Sequence, residues 1–402
     1  MEKALAGVRV LDLTRVLAGP YASMILGDLG ADIVKIENTQ GGDDSRSFGP
    51  FVNGESVYFI SLNRNKKSLS LNLKSEEGKA IFLQLVKEAD IVLENFRPGT
   101  MEKLGLGYEE LEKVNPGLVY AATSGFGHTG PYSQKAAYDL IVQGMGGIMS
   151  LTGEPEGPPT RVGASVGDIT SGLFTTIGIL AALNKRKETG LGQKVDVSML
   201  DCQVAILENA IARYAVSGSS PKPTGNRHPS ITPFSVFKAT DGYVVVAAGN
   251  DTLWQKWCYT VGREDLAQDP RFKTNGNRTD NWDALEPLMS EVMSQKGVED
   301  WLTILEEAGI PASPINDVAK VVEHPQVVAR DMIVHQEHPV AGSIMMPGIP
   351  IKLSKNPGSI DTPAPTLGEH NEAILKGLGY TEEDLIRLEE AGVIVGNAVL
   401  NK

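Results

Sequence analysis

Val8-Arg-Val-Leu-Asp-Leu13, then an apolar helical stretch over residues 20–29, then Ile33-Val-Lys-Ile-Glu37 decide the fold. Two short runs of branched apolar residues flank a segment of helical periodicity, the pattern of a βαβ unit in a parallel sheet. The alternation continues. Residues 68–73 read as a strand, residues 75–89 as a helix with Ser75 as N-cap and Glu77 in its first turn, and Ile91-Val-Leu-Glu-Asn-Phe96 as a strand. Leu118-Val-Tyr-Ala-Ala-Thr123 is another strand and runs into the glycine-rich Ser124-Gly-Phe-Gly-His-Thr-Gly130. Strands alternating with helices predict an α/β fold, an open parallel sheet that binds ligands beyond the carboxyl ends of its strands.

The pattern extends through a helix over 168–187, the turn Gly190-Leu-Gly192, a strand over 194–197 and a helix over 199–216. Its character then changes. Residues 217–230 are rich in Ser, Pro and Gly, and Phe234-Ser-Val-Phe-Lys238, the Asp241-Gly242 turn and Tyr243-Val-Val-Val-Ala247 predict a hairpin. Helices are expected over 251–261 and 282–308. Residues 345–365 are extended and proline-rich, and helical segments close the chain over 369–378 and 381–391. The expected organisation is a large α/β domain with its N-terminal part in 1–216, a linker over 217–230, a smaller α+β domain over 231–325, and a return segment completing the large domain over 326–402.

Composition narrows the function. The chain has 402 residues, 41% hydrophobic and 22% charged, which fits a globular protein with a sizeable core. A net charge of −13 argues against nucleic acid or an anionic membrane as the partner. The two cysteines, Cys202 and Cys258, make neither a disulfide framework nor a CxxC motif. Met1-Glu-Lys-Ala-Leu-Ala-Gly7 runs straight into the first strand with no apolar signal segment, so a cytoplasmic protein is expected.

The usual site motifs fail on context. Gly125-Phe-Gly-His-Thr-Gly130 has dinucleotide spacing but is followed by Pro131 and a polar stretch, and no Walker sequence exists, so no nicotinamide, flavin or P-loop nucleotide site is expected. Gly163-Ala-Ser165-Val-Gly167 has the letters of a nucleophile elbow but follows Pro158-Pro-Thr-Arg161 instead of a buried strand. His335 and His338 lie close together without a nearby Cys and read as surface histidines; no metal site is expected. Within Gly163-Ala-Ser-Val-Gly-Asp168-Ile-Thr-Ser-Gly172, however, one carboxylate stands between glycines at a helix start. Glycine allows a bulky ligand close to the backbone, and a helix N-terminus stabilises negative charge; read alone, Asp168 is an N-cap.

An ordered set of segments changes that reading: Leu11-Asp-Leu-Thr-Arg-Val-Leu-Ala-Gly-Pro20, Leu29-Gly-Ala-Asp-Ile-Val-Lys-Ile-Glu37, Asn63-Arg-Asn-Lys-Lys-Ser-Leu-Ser-Leu-Asn-Leu-Lys74, Glu94-Asn-Phe-Arg-Pro-Gly99, Gly125-Phe-Gly-His-Thr-Gly-Pro131, Ala137-Tyr-Asp139 and Val166-Gly-Asp168. Together they resemble the class III CoA-transferases, the family of formyl-CoA transferase and carnitine CoA-transferase, from residue 4 to about residue 380. The resemblance implies an interlocked homodimer. It also implies a reaction in which CoA moves from an acyl-CoA to a small carboxylic acid through an aspartyl-CoA thioester, with Asp168 as nucleophile and neither metal nor ATP. It places coenzyme A against Val16, Leu17, Ala18, Leu71, Asn72, Lys74, Asn95, Phe96, Arg97 and Lys103, with Tyr138 and Met199 near the thiol. Lys74, Arg97 and Lys103 suit CoA phosphates chemically. Gly144, Gly146, Gly147, Gly249 and Asn250 are candidate oxyanion groups, and Arg15, Arg46 and Arg64 are candidates to hold a second carboxylate, which favours dicarboxylates such as oxalate or succinate.

The chain departs from formyl-CoA transferase at Leu17 (glutamine there), at Asn38 (arginine there) and at Ala248-Gly-Asn-Asp251 (a four-glycine loop there). These differences point away from strict formyl-CoA:oxalate exchange; the shorter Gly249-Asn250-Asp251 form resembles transferases acting on other small mono- or dicarboxylates, and the loss of charge at Asn38 shifts phosphate contact toward Arg97. The nearest rival is an α-methylacyl-CoA racemase. Racemases similar to this chain carry a histidine where it has Tyr138, and a phenol of pKa about 10 is a poor base at neutral pH. A non-catalytic acyl-CoA-binding protein on the same fold is the rival from another class; the intact Asp168 in its glycine setting argues against it.

Overall fold

The computed structural model describes residues 2–396; residue 1 and residues 397–402, at the ends of the expected segments 1–216 and 326–402, lie outside the described residues. Two compact units divide the chain. One comprises Met1–Ile148, Arg161–Asn209 and Val328–Lys402, the other Met149–Thr160 and Ala210–Val327.

The first unit is built on a six-stranded, all-parallel sheet. Its strands are β1 (Arg9–Asp12), β2 (Asp32–Glu37), β3 (Lys66–Ser70), β4 (Ile91–Glu94), β5 (Val119–Ser124) and β6 (Lys194–Ser198), in the spatial order β3-β2-β1-β4-β5-β6. The helices that matter for the site are α1 (Ala18–Asp28), α2 (Glu76–Val86), α3 (Asp139–Met145), α4 (Val166–Thr189) and α5 (Met199–Ala205). Because successive side chains point to opposite faces, nearly continuous apolar strands bury both. Leu11, Val34, Ile36, Leu69, Val92 and Tyr120 pack on one face with Ile81, Phe82 and Val86 of α2. Val10, Ile33, Ile91, Leu93, Val119 and Ala121 pack on the other with Ala22 and Leu26 of α1 and Ile179, Ala182 and Leu183 of α4. Each large aliphatic side chain so buried contributes roughly 1.5–3 kcal/mol. Helix α4 is long and apolar enough to cross a membrane, yet this packing against the sheet is that of a core helix.

The second unit carries a three-stranded antiparallel sheet in which Tyr243–Ala247 lies between Phe234–Lys238 and Ala312–Pro314. Its core is Phe237, Trp254, Trp257, Leu285, Met289 and Trp301. Residues 217–230, read from sequence as a linker, fall inside this unit, where the Gly225 N–H donates to the Gly153 carbonyl at 3.0 Å.

Several elements differ from the sequence reading. The helix expected over 282–308 is two, Trp282–Met293 and Val298–Glu307, separated at Gly297, which occupies the N-cap of the second. The helix expected over 199–216 is also two, α5 and Ala210–Ser217, with Glu208 at a φ of 55° between them. The segment expected to be extended from 345 begins as the second strand of a hairpin, Ile333–His338 paired with Gly342–Pro347. His338 is buried there and its Nδ1 accepts the Val340 and Ala341 N–H groups, so the expectation of two surface histidines holds only for His335.

Candidate active site

In this strand order the chain reverses direction between β1 and β4, and such a switch point opens a crevice beyond the strand ends. The segment leaving β1 is Leu13-Thr-Arg-Val-Leu17, not a glycine loop. Val16 has a φ of 68°, a left-handed conformation that costs a β-branched residue about 1–3 kcal/mol. Surrounding polar groups over-determine it. The Val16 N–H donates to Asp43 Oδ1 at 3.0 Å, and Lys35 Nζ donates to the Thr14 carbonyl at 2.7 Å while pairing with Asp43 at 2.9 Å. Just past β4, Asn95 brackets Arg15, its Oδ1 accepting the Arg15 N–H and its Nδ2 donating to the Arg15 carbonyl, both at 2.8 Å. Beneath them buried Asp12 accepts the Thr14 N–H and the Ser23 hydroxyl and pairs with Lys66 at 3.2 Å. Burial, the largest single influence, raises the pKa values of Asp12 and Asp43; the lysines and the hydrogen-bond donors together outweigh it and hold both carboxyls below the usual range.

Two adjoining cavities occupy the crevice. One, of about 640 Å³, is lined by Thr14, Glu37, Asn38, Leu71, Asn72, Lys74 and Lys103 among others. The second, of about 710 Å³, is lined by Val16, Leu17, Ala18, Asn95, Arg97, Tyr138, Asp168 and Met199 among others. Arg15 and Phe96 border both, with the Arg15 guanidinium 5.2 Å from the Phe96 ring centroid. Each residue that the family resemblance assigned to coenzyme A therefore lines one cavity or the other. Lys74, Arg97 and Lys103 are exposed, and none forms an ion pair with a described residue.

Asp168 sits at the start of α4 but does not cap it. The N-cap position is Ser165, and Asp168 is the third helical residue. The preceding loop is pinned by α3: the Gly167 N–H donates to Asp139 Oδ1, Gln143 Nε2 to Asp139 Oδ2, and the Val162 N–H to Gln143 Oε1, at 2.8, 2.8 and 2.9 Å. Two glycines permit the packing. A Cβ at Gly167 would lie 2.7 Å from Val142 Cγ2, and one at Gly172 would lie 2.7 Å from the Ala18 carbonyl of α1. No described residue donates a hydrogen bond to the Asp168 carboxylate, and burial, then the nearby Asp139 charge, push its pKa up to about 7. At neutral pH the group is divided between carboxylate and acid. The sequence reading used Ala137-Tyr-Asp139 for its tyrosine and missed the clamp made by Asp139 and Gln143. It also missed Ser124 and Lys135, which line the second cavity; only the position of Ser124 at the end of β5 could have flagged it.

Other candidates have different partners within their own units. Arg46 donates from Nε and Nη2 to Glu37, both at 2.8 Å, and lies 3.7 Å from the Phe59 ring centroid. Buried Arg64 is bidentate to Asp28 at 3.0 and 2.7 Å. Either arginine could turn to a substrate only by leaving a buried carboxylate without its ion-pair partner, which disfavours the expectation that they read a second carboxylate. Arg15 does line both cavities, 3.0 Å from Asp44. Gly249 and Asn250 belong to the second unit, where Asn250 caps the helix Asp251–Thr260 by accepting the Leu253 N–H at 2.8 Å. Gly144 lies within α3 and Gly146 ends it; neither these nor Gly147 lines the Asp168 cavity. Among the described residues no cluster of His, Cys, Asp and Glu is arranged to hold a metal ion, and Cys202 and Cys258 are buried free thiols.

Residues 5–371 match the model of the family described as CoA-transferase family III. An acetyl-CoA:oxalate CoA-transferase of Acetobacter aceti is 46% identical over 378 residues, covering 94% of this chain and 96% of that protein. A succinyl-CoA:glutarate CoA-transferase of Mus musculus is 41% identical over 394 residues, covering 98% of this chain and 90% of that protein. The crystal structure of a CAIB/BAIF family protein from Brucella suis superimposes with a TM-score of 0.84 at 42% identity, covering 94% of this chain and 100% of that one. With the family's ordered segments folded around one crevice, and with these matches spanning nearly its whole length, the chain belongs to CoA-transferase family III and is an enzyme of that type acting on acyl-CoA.

Proposed function

We propose that the enzyme transfers CoA from an acyl-CoA to a short dicarboxylate through covalent intermediates on Asp168. The observation that carries this reading is the placement of Asp168, free of hydrogen-bond donors and with its pKa raised to about 7, in the cavity that adjoins the Lys74–Lys103 cavity. A carboxylate more basic than usual is a better nucleophile, and here it remains substantially ionised near neutral pH.

The Asp168 carboxylate attacks the thioester carbonyl; the C–S bond breaks, leaving a mixed anhydride and CoA thiolate. The thiolate attacks the Asp168 carbonyl, releasing the donor acid and forming the aspartyl-CoA thioester. An acceptor carboxylate attacks that thioester, regenerating thiolate and a second anhydride. The thiolate then takes the acceptor's acyl group and restores Asp168. One thioester is consumed and one formed. Arg97, Lys74 and Lys103 suit the phosphates, and Arg15, at the border of the two cavities, suits an anionic acceptor. The dicarboxylate class is supported by the oxalate and glutarate named for the two relatives. We also place the exposed Leu173, Phe174 and Ile177 of α4 at the contact of a homodimer, as the family resemblance implies.

The test is peptide mass spectrometry after mixing the protein with acetyl-CoA or succinyl-CoA and reducing with borohydride. Reduction of Asp168 alone to the alcohol is the expected result. No modification with any common donor, together with α-proton exchange of a branched acyl-CoA in deuterated water, would replace this reading with the racemase.

A further inference from the structure

The turn Asn95-Phe96-Arg97, which lines both cavities, is anchored from beneath by a buried carboxylate that the chemistry above does not use. Glu94, the last residue of β4, is 2% exposed. Its Oε2 accepts the Phe96 N–H at 2.7 Å, and its Oε1 accepts the Tyr120 hydroxyl at 3.2 Å. Opposite lies His128, from the loop after β5. Its Nε2 is buried, lacks a hydrogen-bond partner, and sits 3.7 Å from Glu94 Oε1. Its Nδ1 is 2.9 Å from Lys194 Nζ on β6. An ammonium can only donate, so Nδ1 accepts, and the neutral ring carries its proton on Nε2, facing Glu94.

We propose that Lys194, His128 and Glu94 form a positioning relay that holds the Asn95-Phe96-Arg97 turn in its acyl-CoA-binding conformation; the proposal rests on the reading of the crevice given above. The relay senses the charge of Glu94. An ionised Glu94 accepts from the Phe96 N–H and the Tyr120 hydroxyl and attracts the His128 Nε2–H that faces it 3.7 Å away. A protonated Glu94 opposes that N–H with its own proton and holds the Phe96 amide less strongly. The groups facing Glu94 besides His128 are Tyr120, Glu102 and Lys194; those facing His128 are Lys194, Glu102 and Asp196, whose carboxylate accepts the backbone N–H of His128 at 3.0 Å. Burial raises the Glu94 pKa to about 7, whereas burial and Lys194 lower that of His128, so the carboxyl titrates against a neutral ring. Affinity for CoA therefore falls as pH drops through about 7.

The experiment is calorimetric titration of the full chain with CoA at pH 6 and pH 8, with kcat at saturating acyl-CoA, for wild type, Glu94→Gln, His128→Leu and His128→Gln. The 3′-phosphate of CoA titrates in the same range, with a pKa near 6, but contributes equally to every variant. We expect wild-type affinity to weaken about five- to tenfold from pH 8 to pH 6, Glu94→Gln to be weak at both, and kcat to change less than about twofold. His128→Leu should move the inflection to higher pH, and His128→Gln, which restores an N–H donor, should return it. Wild-type affinity in Glu94→Gln at both pH values overturns the relay. So does a loss of affinity, kcat and thermal stability in parallel. A wild-type protein that binds no CoA at either pH overturns the crevice assignment, and the relay with it.

Discussion

Asp12 and Asp168 are two carboxylates of the same crevice with opposite electrostatics. Asp12 is wholly buried between Lys66 and Lys35, which together with hydrogen bonds from Ser23 and Thr14 overcome its burial and keep it ionised. Asp168 is only half-buried but has no cation beside it and a second carboxylate, Asp139, close by, so its pKa rises to about 7. Burial by itself predicts neither outcome; the neighbours decide. The Asp12 side of the crevice is spent on holding a strained loop in place. The Asp168 side is left unsatisfied, which suits the nucleophile proposed for it.

The largest effect that could break this contrast is on turnover. Asp168→Asn should lower kcat at least about 10³-fold while leaving CoA affinity within about twofold, because it removes a nucleophile rather than a binding group. Steady-state kinetics alongside calorimetry check this, and a comparable loss of both would return Asp168 to a structural role. On the other side, Lys66→Met should strand Asp12 without its nearest cation. The expected cost is about 3–5 kcal/mol of stability, read from denaturant unfolding, because an unpaired buried charge is the dominant penalty. If the loss is under about 1 kcal/mol, the network is not what holds the Thr14–Val16 loop.

Between these extremes lie the exposed cations. Lys74→Ala, Arg97→Ala and Lys103→Ala should each raise KM for acyl-CoA by about three- to tenfold, less so at high salt, since charge-assisted contacts at an open surface are screened. Arg46→Ala should instead leave acceptor KM unchanged and lower stability, because its guanidinium already serves Glu37. A selective rise in acceptor KM would reverse that assignment. The smallest effect concerns pH. The folded pKa of Asp168, about 7, exceeds its ordinary value of 3.8, so folding favours its proton, and stability is lost as pH rises between those values. Asp168→Asn should therefore raise Tm by a few degrees at pH 8 and by nothing near pH 4. A Tm difference independent of pH would mean that packing, not ionisation, sets it.

The alternation of apolar strands and helices was enough to fix an open parallel sheet, since residues such as Val10, Ile33 and Ile91 need two buried faces. It could not fix where helices break. Gly297 and Glu208 interrupt runs whose periodicity continues across them, because a break depends on what each half packs against. The segments around Asp168, Asn95 and Lys74 were legible as a set because chemistry constrains residue type locally. The pairing of Arg46 with Glu37 and of Arg64 with Asp28 was not: a free arginine and a buried, paired one look alike in sequence.

By itself, then, the sequence determined the fold class, the family and the set of residues proposed to meet coenzyme A, which line the two cavities, because hydrophobic period and reactive residue types are properties of short stretches. The tertiary structure alone decided which charges are satisfied. Asp12 is paired by lysines from β2 and β3, Asp168 is left bare beside Asp139, and Glu94 faces a histidine from the loop after β5. Those are contacts between groups distant in the chain. A pKa is set by what the fold places within a few ångströms, not by what lies next in sequence.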